Sequence, residues 1–185
     1  MPRRLSRPDP PLADDAIQLE PLSRSLEPEL AWVVAGDPEI RRFTLLPSTP
    51  GPSFVADWLG RYEDGWESGA CAGFAIRDAA GDGRVLGFAA IVTLHLDRHE
   101  GEIGYLLAPE ARGRGAATRA VSLLTAWGFG PLGLERLELR IDTENESSIR
   151  VAERAGYRLD GVLRSLHFKE GGRADTGVWS RLSHD

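Results

Sequence analysis

Apolar positions along the chain change period several times, and each change marks an element. Ile17, Leu19 and Pro21 alternate with polar neighbours, which predicts a strand near residues 16–22. Leu26, Leu30, Val33 and Val34 recur at helical spacing over 26–35. Phe54, Val55, Trp58, Leu59, Tyr62 and Trp66 do the same over 53–67. Pro38 and the group Pro47, Pro50 and Pro52 read as breakers between those helices. Two apolar stretches, 70–77 and 85–94, flank a loop rich in glycine and aspartate, so they predict a hairpin. Residues 101–107 are extended, with Ile103, Tyr105 and Leu107 on one face.

A helix follows over 115–129, with Ala117, Ala120, Val121 and Leu124 on its buried side. Leu137, Leu139 and Ile141 alternate with Glu138 and Arg140, the pattern of a half-buried strand. A short helix over 146–155 ends at Gly156, a residue suited to a left-handed C-terminus. Strands over 157–166 and 174–182 close the chain around the loop 170–173. Strands and helices do not alternate regularly, so the order predicts an α+β fold with a mixed sheet. Residues 1–14 are rich in Pro, Arg and Asp and read as a flexible tail, leaving 15–185 as one domain.

Composition narrows the function classes. The 185 residues carry a net charge of −6, with no run of lysines or arginines, which argues against a nucleic-acid partner. No apolar run reaches the roughly 18 residues of a membrane span, and the basic start lacks the apolar segment of a secretory signal. The expected setting is therefore the cytoplasm, with no membrane partner. Cys71, the single cysteine, sits in an apolar stretch and reads as a packing residue. His95, His99, His167 and His184 lack metal-ligand spacing and read as surface residues, so no metal is expected.

The candidate chemistry begins where the strand at 101–107 meets the helix at 115. Gly113, Gly115, Ala116 and Ala117 crowd the helix entry and let a ligand approach the backbone. The first N–H groups of a helix have no intrahelical partner and carry partial positive charge, so such a mouth suits a phosphate or diphosphate. Arg112 and Arg114 can add charge. The turn lacks the Gly-Lys-Ser/Thr ending of an ATP loop. Thr118 stands where a dinucleotide fingerprint needs glycine or alanine. A plain loop-to-helix turn would use the same small residues.

The wider pattern is more specific. Arg112-x-x-Gly115-x-Ala117, preceded by Gly104-Tyr105-Leu106-Leu107-Ala108-Pro109-Glu110, resembles the acetyl-CoA motif of the GNAT superfamily. Glu102-Ile103-Gly104-Tyr105, Asn145-x-x-Ser148-Ile149-Arg150-Val151, Ala155-Gly156-Tyr157 and Asp175 resemble its Rim-type branch, the N-terminal acetyltransferases of ribosomal proteins. The resemblance implies a mostly antiparallel six- or seven-stranded sheet, splayed between its central strands, with helices on both faces. It implies acetyl-CoA held by Gly113, Arg114, Gly115, Ala116 and Ala117, with Arg112 and Thr118 close by. The pantetheine arm would pair with Leu106 and Leu107 and meet Asn145 and Ser148. Gly104 is the expected position of the strand bulge that opens the slot. A homodimer is common in that branch.

The implied function is transfer of an acetyl group to a primary amine, either a small molecule or a protein N-terminus, by direct attack. Glu102 is the candidate base, against a reading as a solvated strand glutamate. Many relatives carry a tyrosine acid in the last helix; Ala152 stands there, so Ser148 or a water is left to stabilise the leaving thiolate. Asn145 or Thr143 can also act simply as a helix cap. Trp58, Tyr62 and Trp66 read as mainly core, with one of them a candidate to line an acceptor pocket, and Arg119 reads as solvent-facing. The rival from another class is a CoA-binding regulatory or interaction module without turnover.

Overall fold

The computed structural model describes residues 4–34, 37–47, 49–169 and 172–185. Its strands are β1 (Leu12–Ala13), β2 (Ile17–Pro21), β3 (Ala72–Asp78), β4 (Val85–His95), β5 (Glu100–Leu107), β6 (Arg136–Asp142), β7 (Arg158–Lys169) and β8 (Gly172–Leu182). Its α-helices are α1 (Glu27–Leu30), α2 (Pro38–Phe43), α3 (Phe54–Ser68), α4 (Ala116–Phe129) and α5 (Glu146–Arg154). The strands form one sheet in the order β1-β2-β3-β4-β5-β6-β8-β7. Every neighbouring pair is antiparallel except β5 and β6.

Side-chain alternation along the strands divides the core in two. Phe74, Ile76, Ile91, Ile103, Leu137 and Leu139 face α4, where Ala120, Val121 and Leu124 seal that side. Ala75, Phe88 and Ala90 face the opposite way, against Leu59 and Tyr62 of α3 and Leu26 and Leu30 before it. Helices on both faces of a mostly antiparallel sheet match the architecture expected of the resemblance. Gly156 takes the left-handed conformation at the end of α5, with φ of 80°.

Three regions depart from the sequence reading. The helix expected over 26–35 is broken into a 3-10 turn (Arg24–Leu26), α1 and a second 3-10 turn (Ala31–Val34), although Leu26, Leu30 and Val33 are buried. Its expected end at Ala35, like Glu170 and Gly171 of the final loop, lies outside the described residues. Pro38 starts α2 instead of breaking a helix. It occupies the first turn, where a missing N–H costs nothing, and Asp37 caps it by accepting from Ile40 N at 2.9 Å.

The stretch read as a tail packs on the domain and supplies the eighth strand. Leu12 pairs with Leu19, and Leu5 lies in the core with its N–H bonded to Trp66 O at 2.8 Å. Arg119, expected to face solvent, ties this stretch to α4 through Asp14 (2.8 Å) and Asp15 (2.6 Å). Those partners lie over a hundred residues away, so no local pattern reveals them.

The packing of Leu5 generates a stability prediction. Leu5→Ala should lower unfolding stability by about 2 kcal/mol, the low end for a buried leucine. A shift of the urea midpoint at unchanged slope would show it; a variant matching the parent would mean that the segment does not dock in solution.

Candidate active site

The two parallel strands share only three rungs, Glu100 with Arg136, Gly101 with Leu137, and Glu102 with Glu138. Beyond them β5 stays with β4 as far as Leu107, and β6 stays with β8 as far as Asp142. The facing edges of 103–107 and 139–142 therefore diverge. A cleft of about 990 Å³ runs between them, from the α4 face of the sheet to the α3 face.

The expected bulge exists, but on the neighbouring strand. Ile91 pairs with Ile103 and Thr93 with Glu102, so Val92 is the extra residue on β4, while Gly104 pairs in register with Ala90. A Cβ on Gly104 would lie 3.0 Å from Val92 Cγ1. The glycine makes room for the bulged side chain and does not itself bulge.

On the α4 face, Gly113 and Gly115 have φ of 76° and 81°, the left-handed region that favours glycine. Nothing lies within 4 Å of where a Cβ would sit on either. Gly115 is the N-cap of α4 and offers no side chain, so the first helical N–H groups are left without a side-chain cap. A 14-residue helix thus points its positive end into an open, unshielded mouth. The residues present fit a diphosphate. Gly113, Gly115, Ala117 and Thr118 line the cleft, whereas Ala116 turns its side chain into the core and Arg114 is exposed outside it.

Arg112 also lines the cleft, but its guanidinium is already engaged. It bonds Glu39 at 2.6 Å, Asp37 at 3.0 Å and Leu107 O at 3.2 Å. Burial pushes the Asp37 carboxyl up, and the bonds from Arg112 and Ile40 N–H outweigh that and hold it below the usual carboxylate range. Arg42 bonds Glu144 at 2.8 Å. Helix α2 therefore straps the two banks together, one end on the glycine turn and the other on the loop before α5.

Asn145 caps α5: its Oδ1 accepts from Ser148 N at 3.1 Å and from Ser147 Oγ at 2.8 Å. It also lines the cleft with Ser148, so the capping reading and the ligand reading coexist. Ala152 is fully buried. Facing Ser148 across the gap is Tyr105 of β5, whose buried hydroxyl closes no hydrogen bond. Burial pushes its phenol up to about 12, and the nearby Ser148 hydroxyl offsets this only in part. The sequence reading placed Tyr105 on a strand face and in the family motif, without a chemical role.

The α3 face carries the rest. Glu102 shares the last rung with Glu138, and Arg140 reaches both, at 3.4 Å and 2.9 Å. Burial pushes the Glu102 carboxyl above its ordinary range; Arg140 opposes the shift and Glu138 adds to it. Lys169, the only lysine, pairs with Asp142 at 2.8 Å, each side chain only 8% exposed. His167, read as a surface residue, lines the same wall, and its Nδ1 meets Thr176 Oγ1 at 2.9 Å. Burial, then Lys169 and Arg140, push its imidazole below its ordinary range. Alternation along β6 could have placed Asp142 with Arg140. Its partnership with Lys169 needs the register of β7 on β8. Trp58 and Tyr62 line the cleft too, whereas Trp66 packs in the α4-side core against Phe74 and Trp127.

Known proteins share this fold. The sequence pattern of the acetyltransferase (GNAT) domain matches residues 17–158. The uncharacterized N-acetyltransferase YoaA of Bacillus subtilis is 36% identical over 95 residues, 51% of this chain and 52% of that protein. Spermidine N(1)-acetyltransferase of Escherichia coli is 33% identical over 90 residues, 49% and 48% respectively. The chain thus spans about half the length of these two relatives. YdaF of Bacillus subtilis, provisionally named a ribosomal N-acetyltransferase, is 29% identical over 133 residues, 72% and 69%. The fold superimposes on RimL, a ribosomal L7/L12 N-acetyltransferase solved with coenzyme A, at a TM-score of 0.84, 16% identity and 91% and 95% coverage.

The environment of Glu102 sets a pH-dependent stability effect. A carboxyl whose folded pKa is raised contributes stability at low pH that is lost as pH rises through the folded value. Glu102→Gln, which does not titrate, should therefore melt higher than the parent at pH 7. The gap should narrow as pH falls toward the ordinary carboxylate range, as thermal melts across pH would read. A variant that melts lower at pH 7 would show that the pair with Arg140 outweighs burial.

Proposed function

The chain belongs to the acetyltransferase (GNAT) domain family, and from that premise we propose that it moves an acetyl group from acetyl-CoA to a primary amine in one ternary complex. The observation that carries the reading is a single cleft. It joins an uncapped helix mouth on one face of the sheet to a half-buried carboxylate on the other. The same reading takes the cytoplasm as its setting. A homodimer belongs to the same reading, supported by the exposed row Leu159, Val162, Leu163 and Leu166 on the edge strand β7.

Main-chain N–H groups from Gly113 to Thr118 hold the diphosphate of coenzyme A, and Arg114 adds positive charge from outside. The unpaired edge at Leu106 and Leu107 takes the pantetheine amides, opposite Asn145 and Ser148. Acetyl-CoA supplies a thioester whose thiol, with a pKa of about 8.5, is a fair leaving group. Glu102 accepts the proton of the acceptor ammonium, directly or through water, and its raised pKa suits that task. A main-chain N–H near Leu106 polarises the carbonyl. Ser148 donates toward the departing sulfur. Tyr105, still protonated at neutral pH, stands behind it in place of the tyrosine that Ala152 lacks. Holding both reactants in one cleft supplies much of the rate.

The test is acetyl-CoA-dependent release of free thiol over a panel of amines and N-terminal peptides. Acceptor-dependent release supports the reading; tight acetyl-CoA binding with no release across the panel would make the chain a CoA-binding module instead. Gly115→Val should weaken acetyl-CoA binding at least about 10-fold by calorimetry, because a branched side chain cannot hold that φ or clear the mouth. Glu102→Gln should lower kcat by about 100-fold and erase the loss of kcat as pH falls through the raised carboxyl pKa. An unchanged pH profile would remove Glu102 from the base role.

A further inference from the structure

We propose that the acceptor is an amine with a single cationic centre and an aromatic or branched aliphatic body, and that polycationic amines are poor acceptors. This rests on the acetyl-transfer reading and names the substrate class of the same cleft.

The α3 face of the cleft has two unlike walls. One is apolar and built from Phe54 and Trp58 of α3, Phe88 and Val92 of β4, and Phe43 and Leu46 at and after α2. Trp58 packs 4.7 Å from Phe88, and Tyr62 lies 5.2 Å from Phe88, so the wall is a fixed aromatic surface. The other wall is polar, but each of its carboxylates already has a cationic partner.

Among the described residues, three carboxylates line the cleft: Glu39, Glu102 and Asp142. Glu39 is held by Arg112 at 2.6 Å, and Asp142 by Lys169 at 2.8 Å. Glu102, 3.4 Å from Arg140, has the loosest partner and is the one positioned for the reacting amine. Cations on the same lining, including Arg61, Arg140 and Lys169, outnumber these carboxylates.

A diamine or triamine would bring its second ammonium into this space. That group would lose its water without gaining a free carboxylate, and it would face like charges. An ammonium over an open aromatic face can recover some of the loss, but Trp58, Tyr62 and Phe88 pack on one another at 4.7–5.8 Å, and Arg42 already lies over Phe43 at 5.0 Å. An apolar body instead releases water from both surfaces at once. The cleft therefore selects for one charge near Glu102 and apolar bulk beside it.

An isosteric pair isolates the second charge: hexylamine ends in a methyl group where 1,5-diaminopentane ends in an ammonium. The full chain is assayed by thiol release with acetyl-CoA at equal concentrations of neutral amine. The panel adds 2-phenylethylamine, spermidine, and short peptides with N-terminal Leu or Phe. The apolar monoamines or those peptides should exceed the polyamines in kcat/KM by at least about 10-fold. Trp58→Ala should lower kcat/KM for 2-phenylethylamine about 10-fold through KM, with acetyl-CoA binding unchanged, and Trp58→Phe should restore most of it. Equal or better turnover of 1,5-diaminopentane or spermidine overturns the substrate class and leaves acetyl transfer standing. Thiol release by no member of the panel, with acetyl-CoA firmly bound, overturns both.

Discussion

A β-sheet cannot separate a pair of strands in its own interior without leaving main-chain donors and acceptors unpaired. Here β5 and β6 share three rungs and then diverge, while their outer edges remain fully paired with β4 and β8. The opened edges face a cleft instead of a neighbour. A ligand with amides of its own can satisfy them, and the rest of the structure arranges itself around that gap. Val92 bulges beside it, and Gly104 yields space to the bulge. Helix α4 begins at one end with no side-chain cap, and α5 begins on the opposite bank under its Asn145 cap.

The charges of the cleft are distributed by the two faces of the sheet. Toward α4 and α5 the site offers main-chain N–H groups and hydroxyls. Toward α3 it offers paired side-chain charges and aromatic rings. Glu102 stands at the last shared rung, where burial raises its proton affinity, Arg140 moderates the rise and Glu138 adds to it. Helix α2 joins both banks through Arg112 and Arg42. The glycine turn, the loop before α5 and the apolar wall that includes Phe43 are in this way mechanically linked, although they come from distant segments of the chain.

Much of this was legible in single residues. Gly113, Gly115 and the small residues after them announced an exposed helix mouth, because only residues without bulk allow both the left-handed turn and a close ligand. Alternation over 101–107 and 136–142 placed Glu102 on the opposite face from Ile103 and Tyr105. The bulge was assigned to Gly104 because glycine is its usual local sign, yet the extra residue is a valine on the next strand. The guanidinium of Arg112 looked free for phosphate, and it is bound by Asp37 and Glu39 from 75 and 73 residues away. Pro38 looked like a break and proved to be a start, since the same missing N–H serves both roles.

What the sequence by itself determined is whatever depends on short-range stereochemistry and period. That includes the order of strands from β2 onward and of helices α3 to α5, the apolar face of each, the glycine turn, and the start of α5 near Asn145. Tertiary structure alone decided which distant groups meet. It set Asp142 against Lys169, Tyr105 opposite Ser148, Leu5 under Trp66, and the aromatic wall across from the paired charges. Those contacts depend on register and on the angle at which β5 and β6 diverge. Both are set by the summed packing of two cores, which no local stretch of sequence encodes.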